Sequence, residues 1–196
     1  MPKRYTTQMY LYMLPLATAA VPERETILHT PTHDGGLEHT AATFDDAQAW
    51  LARTQRGEVL LYPPQCYLLH LVSQFLTGPP PPTGGAEAGH YQKQRDALMG
   101  FLKRIPTGPG KHATVEIPWS EKAISPSVVF VRRSDGRTVL GLDKSGLELK
   151  GSGRGGDWDR VVLVRFTKEG GAEGVEVRAR EDVLREERAG EREDKL

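Results

Sequence analysis

The chain has 196 residues, and its 26 lysine and arginine side chains balance 26 aspartate and glutamate side chains, so the formal net charge at pH 7 is zero. This balance excludes the global positive field that attracts nucleic acid or an anionic membrane, and the length suits one domain with tails. A single cysteine, Cys66, excludes an intrachain disulfide, and its apolar neighbours predict that its thiol is buried as a small hydrophobic group.

The first element is a predicted strand at residues 5–14 (YTTQMYLYML), where tyrosine and threonine are abundant. A signal peptide is the alternative interpretation of this segment. It would have a basic start at Lys3 and Arg4, an apolar stretch at 9–16 and a cleavage site at 17–19. Polar residues before the apolar stretch and a proline inside it favour the strand.

A second predicted strand, at residues 38–44, leads directly into a helix. Asp45 or Asp46 supplies the N-cap of this helix, because an aspartate side chain accepts hydrogen bonds from the first backbone N–H groups. The helix is expected to end near Arg56, since Gly57 provides a stop.

The most apolar helix is predicted at residues 65–76, after a short strand at 58–62 and a proline pair at 63–64. Proline is favoured in the first turn of a helix, where its missing N–H is not needed. The broad apolar face of this helix indicates burial. His70 lies within that face and is interpreted as a hydrogen-bonded core residue rather than a metal ligand.

A Pro/Gly-rich loop at residues 78–90 separates this helix from another helix predicted at 91–104. The prolines of the loop favour an extended spacer. The string G-P-G-K at 108–111 has a superficial likeness to a phosphate-binding loop. It lacks the spacing of that motif and the helix after it, so we reject this interpretation.

The last third of the chain is predicted to be β-rich, with two hairpins. Asp135-Gly136 is a typical turn for the first hairpin, and a Gly-rich loop at 143–157 leads to the second. Beyond residue 180 nearly every residue is charged, which predicts a solvated helix that frays or a disordered tail. The four predicted strands are residues 128–133, 138–142, 160–166 and 175–179.

Three strings in the first third are informative together: PKRYTTQMYLYMLPL, then GGLEHTAATFDDAQAWL, then GEVLLYPPQCYLLHL. They resemble the portion that follows the Nudix box in larger Nudix hydrolases similar to coenzyme A diphosphatases. The string PWSEKAISP at 118–126 and the hairpins after it also resemble that subgroup. The resemblance implies an α+β fold, a partial Nudix-like α/β/α sandwich with a mixed sheet and C-terminal β-hairpins. This incomplete domain would span residues 1–180, with a charged tail at 181–196.

The resemblance implies metal-dependent hydrolysis of nucleoside-diphosphate-linked substrates, coenzyme A-like or ADP-ribose-like, with Mg²⁺ or Mn²⁺ as the cofactor. The family holds its metal with closely spaced glutamates in the pattern G-x5-E-x7-R-E-U-x-E-E-x-G-U, where U is bulky and aliphatic. The string REDVLREERAG at 180–190 has a similar composition but not this spacing, and the pattern occurs nowhere else in the chain. The chain is therefore expected to be a fragment that binds no metal and is inactive alone. A shortened gene model, an engineered fragment and true degeneration all account for the missing box.

Glu38 is the predicted catalytic residue, because a carboxylate beside the family's metals would ligate one of them or act as a base. A local hydrogen bond at a strand end is the alternative role for Glu38. Ordinary surface positions are the alternative for the residues predicted to contact substrate, which are Arg4, His39 and Gln65. Trp50 and Trp119 are predicted to be core anchors rather than platforms for a nucleobase.

A non-catalytic Nudix-fold binding or scaffold module is the alternative function. Its exposed apolar surface would be covered by a second copy of the chain or by a protein partner. Neither nucleic acid nor a membrane is an expected partner, and the predicted location is the cytoplasm. The last three residues, Asp194-Lys195-Leu196, are similar to the peroxisomal signal Ser-Lys-Leu, which makes the peroxisome the alternative location.

Overall fold

The structure is a computed structural model that describes residues 9–13, 45–78, 87–168 and 171–193. Helices and strands are both present in these ranges, so the predicted mixed α and β class is confirmed. The helices are α1 (Ala47–Gln55), α2 (Pro63–Ser73), α3 (Glu87–Lys103) and α4 (Arg180–Glu193). The strands are β1 (Ser127–Val131), β2 (Thr138–Leu142), β3 (Asp157–Phe166) and β4 (Ala172–Ala179).

The four described strands form one antiparallel sheet in the order β1-β2-β3-β4. Both predicted hairpins are therefore confirmed. In the turn between β1 and β2, Gly136 has a φ of +70°, which glycine adopts without steric cost. The mixed sheet that the resemblance implies would need a parallel pair, and the pairings between these four strands are all antiparallel.

The predicted strand at residues 58–62 is wrong, because this segment is an irregular connection between α1 and α2. Gly57, with a φ of +74°, turns the chain at the end of α1. The connection then reaches Tyr62, which is already the N-cap of α2. Leu61 packs against the helical side of the core, so the apolar residues of the segment serve packing instead of a strand ladder.

The predicted strands near the N-terminus lie wholly or mostly outside the described residues. The prediction at 38–44 falls entirely outside them. Of the predicted strand at 5–14, the structure describes residues 9–13, which have an irregular conformation. Met13 is partly buried and packs against the core, whereas Tyr10 and Tyr12 are largely exposed.

The sheet has a hydrophobic core on each face. Leu140 and Val162 point to the larger core, which packs against α1, α2 and α3. Their neighbours Val139 and Val161 point to a smaller core, which Val183 of α4 completes, as the two-residue period of a strand requires.

The predicted burial of Cys66 and Trp119 is confirmed. Cys66 is only 2% exposed, and burial raises the pKa of its thiol to about 11. Trp119 lies in a 3-10 turn, Trp119–Glu121, and its buried ring stacks on Phe101 with 5.0 Å between the ring centroids. Trp50 is only half-buried, and the guanidinium of Arg53 lies 4.6 Å from the centroid of its ring.

An ion-pair ring of six alternating charges fastens α4 to the sheet. Arg178 donates hydrogen bonds to both carboxylate oxygens of Glu186, and Arg132 donates to the same carboxylate at 2.7 Å. The charged segment, which the sequence predicts to be a solvated or disordered tail, is therefore a helix, and one of its sides is attached to the sheet by these ion pairs. In order around the ring, its members are Arg132, Asp135, Arg137, Glu176, Arg178 and Glu186.

Replacing Glu186 by glutamine is expected to lower the free energy of unfolding by up to about 1 kcal/mol, because the change removes two ion pairs at a partly exposed position. Added salt should shrink the difference from the wild type, since it screens exposed charges. Urea unfolding at low and high salt measures both effects. Glu121→Gln, an exposed carboxylate outside the ring, is the control. A destabilisation that salt leaves unchanged would contradict an electrostatic role for the ring.

Candidate functional site

An open groove of about 300 Å³ lies between α2 and the end of the β3–β4 hairpin. Its volume is at the lower end of the range for small-molecule sites. Apolar side chains of β4 form part of its wall, and three charged groups and a histidine form the rest. The groove residues are His70, Asp159, Arg160, Val177, Arg178 and Ala179.

The register of the sheet brings these residues together. Arg160 is paired with Ala179 and Val161 with Arg178, at the point where β3 begins and β4 ends. His70 reaches the groove from α2, where it follows the buried residue Tyr67 by three positions. Residues three positions apart are neighbours on a helix surface, so His70 lies at the margin of the buried face of α2.

Asp157 is a buried carboxylate that organises one end of the groove. It is 3% exposed, and its Oδ2 accepts hydrogen bonds from the Tyr67 hydroxyl at 2.7 Å and from an Arg160 guanidinium nitrogen at 3.0 Å. Its Oδ1 accepts the backbone N–H of Asp159 at 2.9 Å. Burial, and then the charge of Asp157, raise the pKa of Tyr67 well above its ordinary value, so Tyr67 acts as a hydrogen-bond donor. The Arg160 side chain is held in place as a result.

Asp159 contributes the one carboxylate that lines the groove. Within the described part of the chain, its side chain has no hydrogen bond or ion pair. It lies directly against the loop at 108–110, since a Cβ atom added to Gly108 would be 1.8 Å from Asp159 Oδ2. Burial raises the pKa of this carboxyl, and the negative charge of Asp157 raises it further. A carboxyl group that lines a groove and whose pKa is shifted by burial and a neighbouring charge is a candidate for a functional residue.

Replacing Asp159 by asparagine is expected to leave the stability at pH 7 unchanged or to increase it. The pKa of Asp159 is higher in the folded chain than its ordinary value of 3.8, so ionisation disfavours the folded state. The protonated carboxyl contributes its full stabilisation of the folded state at pH values below its ordinary pKa. This stabilisation is lost as the pH rises through the higher pKa of the folded chain. Urea unfolding at several pH values should therefore show that the free energy of unfolding of the variant increases relative to that of the wild type as the pH rises. A variant clearly less stable at pH 7 would contradict this expectation.

His70 is a neutral hydrogen-bond donor at the margin of the groove. The side-chain amide of Gln74 lies 3.2 Å from Nε2 of His70 and donates to it, which leaves the imidazole proton on Nδ1. Burial lowers the pKa of His70, and the nearby positive charge of Arg160 lowers it further. The expectation that His70 is hydrogen-bonded agrees with this contact, although its side chain is half-buried and borders the groove rather than lying in the core.

Of the residues predicted to form the site, Gln65 is the one that the structure describes. Its side chain is exposed and its Oε1 accepts the backbone N–H of Tyr62 at 2.9 Å, so it caps α2 and lies outside the groove. The sequence interpretation missed Asp159, Arg160 and Arg178. The signal for Asp159 and Arg160 is the string D-W-D-R after a Gly-Gly pair, at the boundary between the predicted loop and the predicted strand, and Arg178 lies within a predicted strand with no signal of its own. Outside the described residues lie Arg4, Glu38 and His39.

No family model matches the chain. Likewise, no curated protein and no solved structure matches it. Among the described residues, no three histidine, cysteine, aspartate or glutamate side chains are grouped so that they could hold a metal ion. Over the same ranges, no helix combines the length and the apolar character needed to cross a membrane.

Proposed function

We propose that the chain is the substrate-binding portion of a Nudix-type hydrolase and that its groove binds a nucleoside-diphosphate-linked compound. The strings between residues 2 and 71 support the family, because they resemble the portion that follows the Nudix box. The groove supports the ligand class. The observation that carries the proposal is the placement of the Arg160 guanidinium, fixed by buried Asp157, beside the unpaired carboxylate of Asp159.

The charges of the groove suit a ligand with both an anionic part and hydrogen-bond donors. Arg160 uses one guanidinium nitrogen to bind Asp157, and its remaining N–H groups are donors for a phosphate. Asp159, the residue just before Arg160, is an acceptor, and His70 adds a neutral donor. Val177 and Ala179 give the groove an apolar wall on which the less polar part of a ligand can rest.

The Mg²⁺ or Mn²⁺ ion of the intact family does not fit the acids near this groove. The Oδ2 atom of Asp157 already accepts hydrogen bonds from Tyr67 and Arg160, and its Oδ1 atom accepts one from a backbone N–H. Asp159 alone supplies too few ligands for an ion that binds several oxygens. We therefore propose binding rather than hydrolysis for the chain by itself, in agreement with the missing pattern of glutamates in its sequence.

Isothermal titration calorimetry of the full chain with ADP-ribose and with coenzyme A, each with and without Mg²⁺, tests the proposal. We expect at least one of them to bind, and Arg160→Gln to weaken that binding about tenfold or more, equivalent to about 1.4 kcal/mol. Arg165→Gln is the matched control, because Arg165 is an exposed arginine on the same strand but outside the groove. Failure of the wild type to bind either compound would overturn the proposal, and rapid hydrolysis by the purified chain would overturn its non-catalytic part.

A second candidate function, a scaffold that pairs with a second copy of the chain, is favoured by β1. This strand lies at the edge of the described sheet, and Val128, Val129 and Val131 are between 46% and 66% exposed. Exposed apolar edge strands promote pairing with another chain, and charged residues on an edge prevent it. Light scattering after size exclusion should show a dimer that Val129→Lys converts to monomer. A wild-type chain that stays monomeric at high concentration would exclude this function.

A further inference from the structure

The turn between β1 and β2 presents an exposed serine, Ser134, in the middle of a basic stretch. The turn is closed by Gly136, whose backbone N–H donates to the carbonyl oxygen of Arg132 at 2.9 Å. The serine directly follows Arg132 and Arg133, and the side chain of Arg133 is 57% exposed. A hydroxyl on an exposed turn is within reach of a modifying enzyme, and an exposed arginine beside it can be read by the same enzyme.

Three guanidinium groups converge on Asp135, the residue that directly follows this serine. Arg132 donates to Asp135 Oδ2 at 3.0 Å, and Arg137 donates to the same oxygen at 2.7 Å. From β3, Arg165 donates to the backbone oxygen of Asp135 at 2.9 Å. Asp135 would repel a second anion in the turn, but the three arginines around it outnumber this one carboxylate. The other carboxylates that bind Arg132 and Arg137 belong to α4 and β4 and not to the turn.

The second half of α4 is tied to the turn by the two arginines that precede the serine. Arg132 donates to Glu186 at 2.7 Å. The guanidinium of Arg133 lies 3.5 Å from a carboxylate oxygen of Glu187 and 3.2 Å from one of Glu191. The first half of the helix is anchored separately, by a buried valine and a largely buried ion pair on the sheet. The two halves of α4 therefore depend on different contacts.

We propose that Ser134 is a phosphorylation site and that its phosphate draws Arg132 and Arg133 away from α4. The reaction requires a protein kinase that recognises arginine, with ATP as the phosphoryl donor. The γ-phosphoryl group moves to Ser134 Oγ, the bond to the departing ADP breaks, and the base of the kinase takes the hydroxyl proton. Ser134 is not among the groove residues, so this modification is independent of the ligand proposed above.

The phosphate competes with the glutamates of α4 because it is the stronger partner for arginine. A phosphoserine carries about −1.5 to −2 charges at pH 7 and three acceptor oxygens, and arginine binds phosphate in a bidentate way. An exposed carboxylate offers a single charge. Glu186 keeps its two hydrogen bonds from Arg178, so the second half of α4 loosens without separating from the sheet.

The test treats the purified full chain with ATP, Mg²⁺ and an arginine-directed serine kinase, and locates the phosphate by peptide mass spectrometry. We expect phosphate on Ser134 and none on the same peptide of Ser134→Ala. Hydrogen–deuterium exchange of the phosphorylated chain should be about fivefold faster in the second half of α4, because ion pairs at exposed positions are lost there. Exchange around Val183 should not change, since its burial does not involve the turn.

Ser134→Glu tests the effect on α4 without a kinase. It should accelerate exchange in the same half of the helix, but less than the phosphate does, because glutamate brings one charge. Ser120→Glu is the matched control: it adds the same charge at an exposed serine outside the turn and should leave α4 unchanged. The proposal is overturned if Ser134 receives no phosphate, if the phosphorylated chain exchanges like the unmodified one in α4, or if both glutamate variants have equal effects.

Discussion

Replacing Asp157 by alanine is expected to lower the free energy of unfolding by about 2–4 kcal/mol, because it leaves a buried hydroxyl without its acceptor and a partly exposed arginine without its ion-pair partner. The Tyr67 hydroxyl is completely buried and would lose its acceptor, and Arg160 would lose the carboxylate that holds it. The backbone N–H of Asp159 would lose its partner as well. Urea unfolding followed by circular dichroism measures the loss.

Tyr67→Phe and Asp157→Asn separate the contributions of this network. Phenylalanine removes one donor and leaves Asp157 with two partners, so a loss of about 1–2 kcal/mol is expected. Asparagine keeps one acceptor oxygen but loses the charge that pairs with Arg160, and its effect should lie between those of the other two variants. An Asp157→Ala protein within about 1 kcal/mol of the wild type would show that the network does not hold the fold together.

Local signals in the sequence were sufficient for most helices and for both hairpins. Asp46 does cap α1, with its Oδ1 accepting the backbone N–H of Ala49, and α1 ends one residue before Arg56. The first hairpin follows from the Asp135-Gly136 turn, which only needs neighbours in sequence. These features depend on residues that are close together in the sequence, so local sequence patterns predict them.

The start of β3 shows why the groove could not be read in the same way. The sequence places Asp157 at the end of a Gly-rich polar loop, and a strand was predicted from 160 onward. In the fold, β3 already begins at Asp157, because its carboxylate is buried against a tyrosine 90 positions earlier in the chain. A buried polar side chain needs hydrogen-bond partners, and here the partner that buries Asp157 is far away in the sequence, so local patterns do not reveal it. The acids of the groove therefore looked like surface residues.

The packing of α4 on the sheet also depends on residues that are distant in the sequence. Its sequence from 180 onward is almost entirely charged, and in isolation such a segment buries too little apolar surface to fold stably. Glu186 contacts Arg132, which directly follows β1, and Arg178, which lies in β4, and the burial of Val183 adds a small apolar contact. Charge composition alone predicted solvation correctly for the outer face of α4, but it gave no information about the face that packs on the sheet.

Replacing Gly156 by alanine is expected to lower the free energy of unfolding by about 2–4 kcal/mol, because the added methyl group meets backbone atoms on two sides. A Cβ atom at this position would be 2.0 Å from the carbonyl oxygen of Leu142 and 2.9 Å from that of Ala123. Neither atom belongs to a flexible side chain, so relief of the clash requires the strand itself to move. Gly156 also accepts a hydrogen bond from Lys122 at 2.9 Å, and this contact would be displaced with the backbone.

Gly100→Ala is the matched control for this substitution, because it adds the same methyl group near the C-terminal end of α3, where nothing outside the helix's own backbone lies within 4 Å of the new atom. Alanine has a higher helix propensity than glycine, so this variant should gain about 1 kcal/mol. Thermal unfolding of the two variants beside the wild type should thus give shifts of opposite sign. Since Gly156 directly precedes Asp157, Gly156→Ala should also weaken ligand binding in the groove, whereas Gly100→Ala should not. Equal stability of the two variants would show that the backbone around Gly156 yields readily, and that the start of β3 does not hold the groove in a fixed shape.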